Sequence, residues 1–474
     1  MIQLRDYQTR AVSATRNAYA SGATAPLLVL PTGGGKTIIF SYIAFSSVQR
    51  GKKVLILVHR IELLRQTQSK LQAFGLRVGL ISPKYTPDYG APVQVAMVQT
   101  MVKRLGKYPE FDLIVTDECH HVSATTYMSV IGNYSKAYQL GVTATPIRSD
   151  GKGLGKGHGG IFDTMVLGPS TRELMDMGFL VEPEIYIPPT ELDMRGVKRS
   201  MGDFNKKETA ARVDKRGITG NALDHYHQLS WQDPAVVFCV NVDHAKHVAQ
   251  EARDMGLRAY SVDGSMEDRD RNRILSGLGD GSVHMVTSCD VISEGTDIPA
   301  IACGISLRPT QSTGLHLQQI GRCLRPSPGK SKAIWLDHVG NCAQIINGDM
   351  TVVHGFPDDD REWSLEGLVK AKRETEKVER ITLCVSCYLA FKPTLAECPH
   401  CGAPRKVKPR PEIKVSAGEL VKLDKTTKLA AQKKRNAETG KARTLEDLEA
   451  LAEARGYKKG WAKHIFESRQ RSGA

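Results

Sequence analysis

The stretch Phe111–Tyr127, FDLIVTDECHHVSATTY, runs from apolar residues into two carboxylates, a thiol and two imidazoles. Three chemistries fit such a set: a metal cage, a catalytic carboxylate pair, or the magnesium-holding end of a nucleotide site. Cys119, His120 and His121 are adjacent, and adjacent residues at a strand end point opposite ways, so they do not face one metal together. The nucleotide reading gains a partner upstream. PTGGGKT, Pro31–Thr37, closes one β-rich run and opens a helical one. Gly33, Gly34 and Gly35, following Thr32, let backbone N–H groups turn toward phosphate oxygens, and the helix N-terminus adds partial positive charge. Lys36 is placed to reach β- and γ-phosphates, and the Thr37 hydroxyl to ligate magnesium. The strict phosphate-loop pattern wants glycine where Leu30 stands, so the match is degenerate, and the strand before and helix after it carry the reading. Asp117 is then the metal carboxylate, and Glu118 the group that polarises attacking water.

A second constellation lies near the C-terminus. LCVSCYLA and ECPHCGAP carry Cys384, Cys387, Cys398 and Cys401, two CxxC pairs ten residues apart. Four thiolates in two tight turns suit tetrahedral zinc, and no missing ligand leaves an open position, so the expected site is structural. Iron in a similar knuckle is the competing reading. A third set is Gln318, Arg322 and Arg325. Their i, i+4, i+7 spacing puts them on one helix face, where guanidinium groups could meet charge developing on a γ-phosphate.

These groups need elements to hold them. Two stretches alternate β-rich and helical runs. Strands are expected over Pro26–Leu30, Lys53–His59, Pro92–Gln99, Asp112–Asp117 and Tyr138–Val142, then over Ala235–Val240, Arg258–Asp263, Val283–Ser288, Ile301–Leu307 and Ala333–Asp337. Helices are expected over Ile61–Phe74, Asp243–Met255 and Met266–Leu278. That alternation predicts two doubly wound parallel α/β domains, in keeping with 474 residues, too many for one core. The net charge of +14 points to a polyanion such as nucleic acid. It is concentrated: Ala403–Arg443 holds 13 Lys/Arg against 4 Asp/Glu. No run of about 18 apolar residues suggests a membrane span, and no basic-then-apolar leader opens the chain. Six further cysteines are scattered and read as free thiols of a reducing cytoplasm.

Taken in order, these motifs resemble those of superfamily 2 helicases over roughly the first 340 residues. Leu4–Gln8 resembles the Q-type motif, PTGGGKT motif I, Asp117–His120 motif II in a DECH form, and Thr143–Pro146 motif III. Ser293–Pro299 resembles motif V and QQIGRCLR motif VI. TAT and SEGTD, where RNA helicases of the DEAD-box type usually carry SAT and ARGxD, are similar instead to the branch of type III restriction subunits and RadD-like repair ATPases, with variants frequent in phages and prophages.

The resemblance implies two tandem RecA-like parallel-sheet domains (1–170 and 233–350) joined by a connector (171–232). A four-cysteine zinc ribbon (380–405), a basic linker (406–443) and C-terminal helices (444–474) follow. It implies ATP and Mg2+ as cofactors, beside the Zn2+ expected from the cysteine spacing. Arg5 and Gln8 are expected at the base, Gly295 near the γ-phosphate and Asp297 at the ribose. His120, Thr143 and Thr145 would couple hydrolysis to grip on nucleic acid, which Arg60, Gln99 and Thr100 would touch. The implied activity is ATP-driven movement along or remodelling of DNA in repair, recombination or replication, with replication or repair proteins engaging the C-terminal region in a bacterial or phage-infected cytoplasm. An RNA helicase and a non-catalytic adaptor with a vestigial ATPase are the alternatives.

Overall fold

The computed structural model describes residues 2–121, 125–148, 153–187, 199–200, 203–213, 216–292, 298–346, 349–366, 382–384, 386–387, 390–391, 395–404, 444–454 and 462. The chain divides into two compact units, Met1–Lys406 and Val407–Ala474. Two parallel sheets organise the first. Strands β1 (Pro26–Val29), β2 (Val54–Val58), β3 (Val78–Ile81), β4 (Val93–Met97), β5 (Leu113–Asp117), β6 (Tyr138–Thr143) and β7 (Thr164–Leu167) build one sheet in the order 3-4-2-5-6-1-7. β2, VLILV, and β5, LIVTD, are buried at every residue, as continuous apolar strands covered on both faces must be. Helices α1 (Asp6–Ala20), α2 (Lys36–Val48), α3 (Ile61–Ala73), α4 (Val98–Val102) and α5 (Thr125–Asn133) pack around it.

After α6 (Thr171–Asp176), the segment expected as a connector supplies β8 (Glu182–Tyr186). This strand forms the edge of the second sheet, paired in parallel with Lys332–Leu336. A small ladder follows, β9 (Arg199–Ser200) with β10 (Asp203–Phe204), then α7 (Lys206–Val213) and α8 (Arg216–Ser230). The second sheet comprises β11 (Ala235–Phe238), β12 (Ala259–Val262), β13 (Met285–Ser288), β14 (Cys303–Ser306), β15 (Lys332–Asp337) and β8, in the order 12-13-11-14-15-8. Its helices are α9 (Val242–Asp254), α10 (Asp268–Asp280) and α11 (Thr313–Ile320).

A hairpin of β16 (Ala343–Ile346) and β17 (Asp349–Val352) follows. The four-cysteine segment then adds β18 (Thr382–Leu383) and β19 (Ala390–Phe391), paired antiparallel. In the second unit, the expected pair of C-terminal helices is represented by α12 (Leu445–Ala454). The basic linker lies outside the described residues. Among those described, no helix is long and apolar enough to cross a membrane.

Candidate nucleotide site between the two sheets

Parallel strands deliver side chains at their carboxyl ends, and here three neighbours do so together. In the order β5-β6-β1, β5 ends at Asp117, β6 at Thr143, and β1 runs into Pro31–Gly35 before α2 begins at Lys36. Gly33 and Gly35 hold positive φ, 86° and 79°, the region glycine enters freely. A Cβ on Gly35 would lie 2.4 Å from Gln8 Nε2, so the turn closes directly on α1. Gln8 is buried, and its Oε1 accepts the Arg5 backbone N–H at 3.0 Å. The Tyr7 hydroxyl donates to the Gly34 carbonyl at 3.2 Å. The Arg5 guanidinium lies 4.1 Å over the Phe179 ring, which also meets Tyr7 at 5.2 Å between centroids.

Asp117 and Glu118 are 4% and 6% exposed. Burial, then the neighbouring Glu118 charge, pushes the Asp117 carboxyl up, while Lys36 pulls it back. Desolvation lowers the Lys36 ammonium, both carboxylates oppose that, and the charges of Arg322 and Arg325 add to it. Lys36 therefore sits within electrostatic reach of two arginines from the other sheet. Glu118 has φ 48°, a left-handed backbone uncommon outside glycine. Its Oε2 lies 3.5 Å from Gln318 Nε2 and 3.5 Å from His120 Nδ1. His120 Nδ1 in turn lies 3.4 Å from Thr143 Oγ1, which donates to the Thr145 carbonyl at 3.0 Å.

The second sheet closes the other side through α11 and the turn after it. Arg322 is buried. A Cβ on Gly33 would fall 3.5 Å from Arg325 Cγ, so that stem lies along the phosphate loop. A Cβ on Gly321 would meet Thr32 Cβ at 2.6 Å, and one on Gly314 would meet Thr145 Oγ1 at 3.0 Å. Only glycine allows so close an approach of the two halves. Thr37 lies beside Lys36 in the first turn of α2.

The expected nucleic-acid set behaves differently. Gln99 and Thr100 lie in α4, just past the end of β4, rather than at a strand end. Arg60 caps α3, and its Nη1 donates to the Asp290 carbonyl of the second sheet at 3.0 Å, so it bridges the two halves. Gly295 and Asp297 lie outside the described residues. Phe179 carried no sequence signal: it stands in the segment read as a connector, and only the fold brings it under Arg5.

Cys384, Cys387, Cys398 and Cys401 hold their sulfurs within 4.8 Å of one another. The Cys384–Cys401 and Cys387–Cys398 pairs are 3.4 Å and 3.6 Å apart. Tetrahedral zinc with Zn–S of about 2.3 Å has S···S edges of about 3.8 Å, so the donor set fits one ion. The other six cysteines are buried, and none of them forms a disulfide.

Comparison with known proteins agrees with this geometry. Residues 1–148 match the family of the type III restriction enzyme, res subunit, and residues 220–327 match the helicase conserved C-terminal domain. A Saccharomyces cerevisiae protein with the provisional name ATP-dependent helicase IRC3 is 30% identical over 381 residues, covering 76% of this chain and 55% of its own length. A 51.5 kDa protein of a Lactococcus phage is 27% identical over 424 residues, covering 87% of each chain. The chain thus spans about half of the yeast relative and most of the phage one. The structure of the ATP-dependent Type ISP restriction-modification enzyme LlaBIII bound to DNA superposes with a TM-score of 0.52 at 18% identity, covering 70% of this chain and 27% of that one.

Proposed function

The chain belongs to superfamily 2 of the helicases, in the branch of the type III restriction subunits, and from that premise we propose that it hydrolyses ATP to move along or remodel DNA. One observation carries the reading. Lys36, Asp117 and Glu118 from the first sheet and Gln318, Arg322 and Arg325 from the second converge on a single seam.

In this reading Thr32–Thr37 cradle the triphosphate, and Lys36 neutralises its β- and γ-oxygens. Thr37 and Asp117 would hold Mg2+, which when bound supplies charge that offsets the phosphates. Glu118 orients the attacking water and takes its proton, while Gln318 fixes the carboxylate. Arg322 and Arg325 stabilise the charge that develops, a contribution of roughly 10³–10⁵ in rate. Gln8 meets the adenine, with Arg5 on Phe179 beside it. Gly295 and Asp297 would lie near the γ-phosphate and ribose.

His120, Thr143 and Thr145 form the connection from Glu118 to the second sheet, and so the coupling path. Arg60, at the start of α3, and Gln99 and Thr100, in α4 just past β4, would meet a strand of DNA crossing both halves. Cys384, Cys387, Cys398 and Cys401 would hold a structural Zn2+. The DNA preference draws on the restriction-type branch and on the DNA-bound structural neighbour. Service in repair, recombination or replication, partners at the C-terminal region, and the reducing cytoplasm of a bacterial or phage-infected cell complete the proposal.

The test is phosphate release by the full chain across duplex DNA, single-stranded DNA and RNA at several salt concentrations. Stimulation by DNA, abolished by Lys36→Ala, is the expected result. Full hydrolysis by Lys36→Ala would reject the site, and stimulation by RNA alone would move the substrate class.

A further inference from the structure

Lys330 is partly buried, and its ammonium meets four backbone carbonyls. Nζ lies 2.5 Å from the Cys323 oxygen, 2.7 Å from Arg325, 2.6 Å from Ile301 and 3.3 Å from Pro299. Two of these carbonyls belong to the turn that follows α11 and carries the arginines. The other two belong to the run that enters β14. We propose that Lys330 is the positioning residue that sets Arg322 and Arg325 against the phosphate loop, by tying their backbone to the entry of β14. The proposal rests on reading the seam as the ATP site.

The local sequence explains how the side chain gets there. α11 has ended at Ile320, and Pro326 and Pro328 keep the segment after Arg325 from resuming a helix. Gly329 takes φ 80° with open space around it, so the requirement is conformational. The Lys330 N–H closes the turn onto the Ser327 carbonyl at 3.0 Å. The chain reverses, and the lysine stem runs back under the end of α11. Carbonyls just past a helix C-terminus lack helical partners and favour a cation. Three N–H groups shared over four acceptors suit an ammonium. A neutral amine has two N–H groups, and methionine has none.

The link to chemistry is short. Lys330 holds the carbonyl of Arg325, the residue whose stem lies on Gly33. A shift of about 1 Å at a transition-state group can lower turnover about 100-fold without changing how substrate binds. The four carbonyls that Lys330 holds all lie outside the phosphate loop, so its removal is expected to act on turnover rather than on ATP affinity.

Protonation offers a second readout. Burial lowers the Lys330 ammonium to about 8, Cys323 opposes that, and Arg325 adds to it. The groups facing it are the Cys323 thiol, pushed by burial up to about 12, and the Arg325 guanidinium, which stays charged. Loss of the Lys330 proton above pH 8 removes one N–H from the carbonyl cage, so turnover should fall along an alkaline limb near that pH. Lys330→Arg keeps a charge there at all accessible pH and should move the limb upward.

The experiment measures steady-state ATP hydrolysis by the full chain with saturating DNA, for the parent, Lys330→Met and Lys330→Arg, between pH 6 and 10. Thermal melting of each variant monitors folding. Lys330→Met is expected to lower kcat about 10- to 100-fold with KM for ATP within about twofold. Lys330→Arg is expected to recover much of kcat and to lose the limb near pH 8. Parental kcat in a folded Lys330→Met would overturn this inference and leave the ATPase reading standing. An unchanged limb in Lys330→Arg would also overturn it. A parent chain without DNA-stimulated hydrolysis would overturn the functional reading and this inference with it. If Lys330→Met fails to fold, the arginine variant's pH profile decides alone.

Discussion

Glu118 is held in a left-handed backbone, a conformation that costs about 1–3 kcal/mol for a residue with a side chain. The turn aims its carboxylate at Gln318 from the other sheet and His120 from its own. A group used only for its charge would not need that geometry, whereas a base must be aimed. Replacing Glu118 by Gln keeps the shape and removes the basicity. Hydrolysis by Glu118→Gln should therefore fall about 10²–10⁴-fold, with ATP bound about as tightly as by the parent. Single-turnover phosphate release beside fluorescent-nucleotide titration measures both, and hydrolysis at the parental rate would remove Glu118 from the role of base. Lys36 and Asp117 were legible because each stands in a short local run at a helix start or strand end. Arg322 was legible from its spacing, but the single helix face expected for Gln318, Arg322 and Arg325 does not form, since α11 ends at Ile320 and both arginines stand in the turn after it. Phe179 was not. Its place under Arg5 depends on α6 and the following segment folding back across α1, which no local spacing encodes.

At the scale of elements, the ten strands expected from alternating apolar runs all form, with ends shifted by a residue or two. The strands not anticipated are short or polar. β3, VGLI, includes Gly79, where a Cβ would meet Gln94 and the Asp88 carbonyl. β8, EPEIY, carries two carboxylates and a proline, which a strand tolerates at a sheet edge where one side needs no ladder. That edge strand is also where the four-cysteine ribbon docks. The Tyr186 hydroxyl donates to Glu184 at 3.0 Å and lies 3.1 Å from His400 Nε2, inside the second cysteine pair. Cys384 and Cys398 pack with Tyr186, Leu223 and Leu336 in one apolar cluster. The ribbon thus covers one face of the second sheet, and metal that orders the ribbon should stabilise β8. Removal of zinc by a strong chelator, or Cys398→Ser, should cost about 2 kcal/mol or more and lower melting by about 4 °C or more. Amide exchange in β8 should quicken at the same time. Unchanged exchange there after verified metal loss would separate the ribbon from the sheet.

For the molecule as a whole, the two sheets meet at a second place besides the nucleotide seam. α3 of the first half and α10 of the second carry an ionic cluster. Arg271 pairs with Glu62 across the junction and with Asp268 on its own helix, and Asp268 also accepts Arg65 at 2.8 Å and Lys84 at 2.9 Å. A cleft of about 740 Å³ lies alongside, lined by residues of both halves including Glu62, Leu275 and Ile298. The members differ in exposure. Lys84 is open to solvent, whereas Arg271 is 4% exposed. Salt should weaken the Lys84 pair, whose lysine is open to solvent and its counterions, more than the pairs of the buried Arg271. Deleting Arg271 is more severe. Glu62 would then lose its partner across the junction, leaving the Arg65 and Lys84 pairs of Asp268 as the remaining ionic contacts of the cluster between the halves. Arg271→Ala should therefore widen the separation of the two halves, read by energy transfer between dyes on α5 and α9, whereas raising salt in the parent should change it little. A separation in Arg271→Ala equal to the parent's would mean that the Arg271 pairs are not needed to hold the halves together. The cluster would then be a solvated contact with no part in setting how far the arginines stand from the phosphate loop.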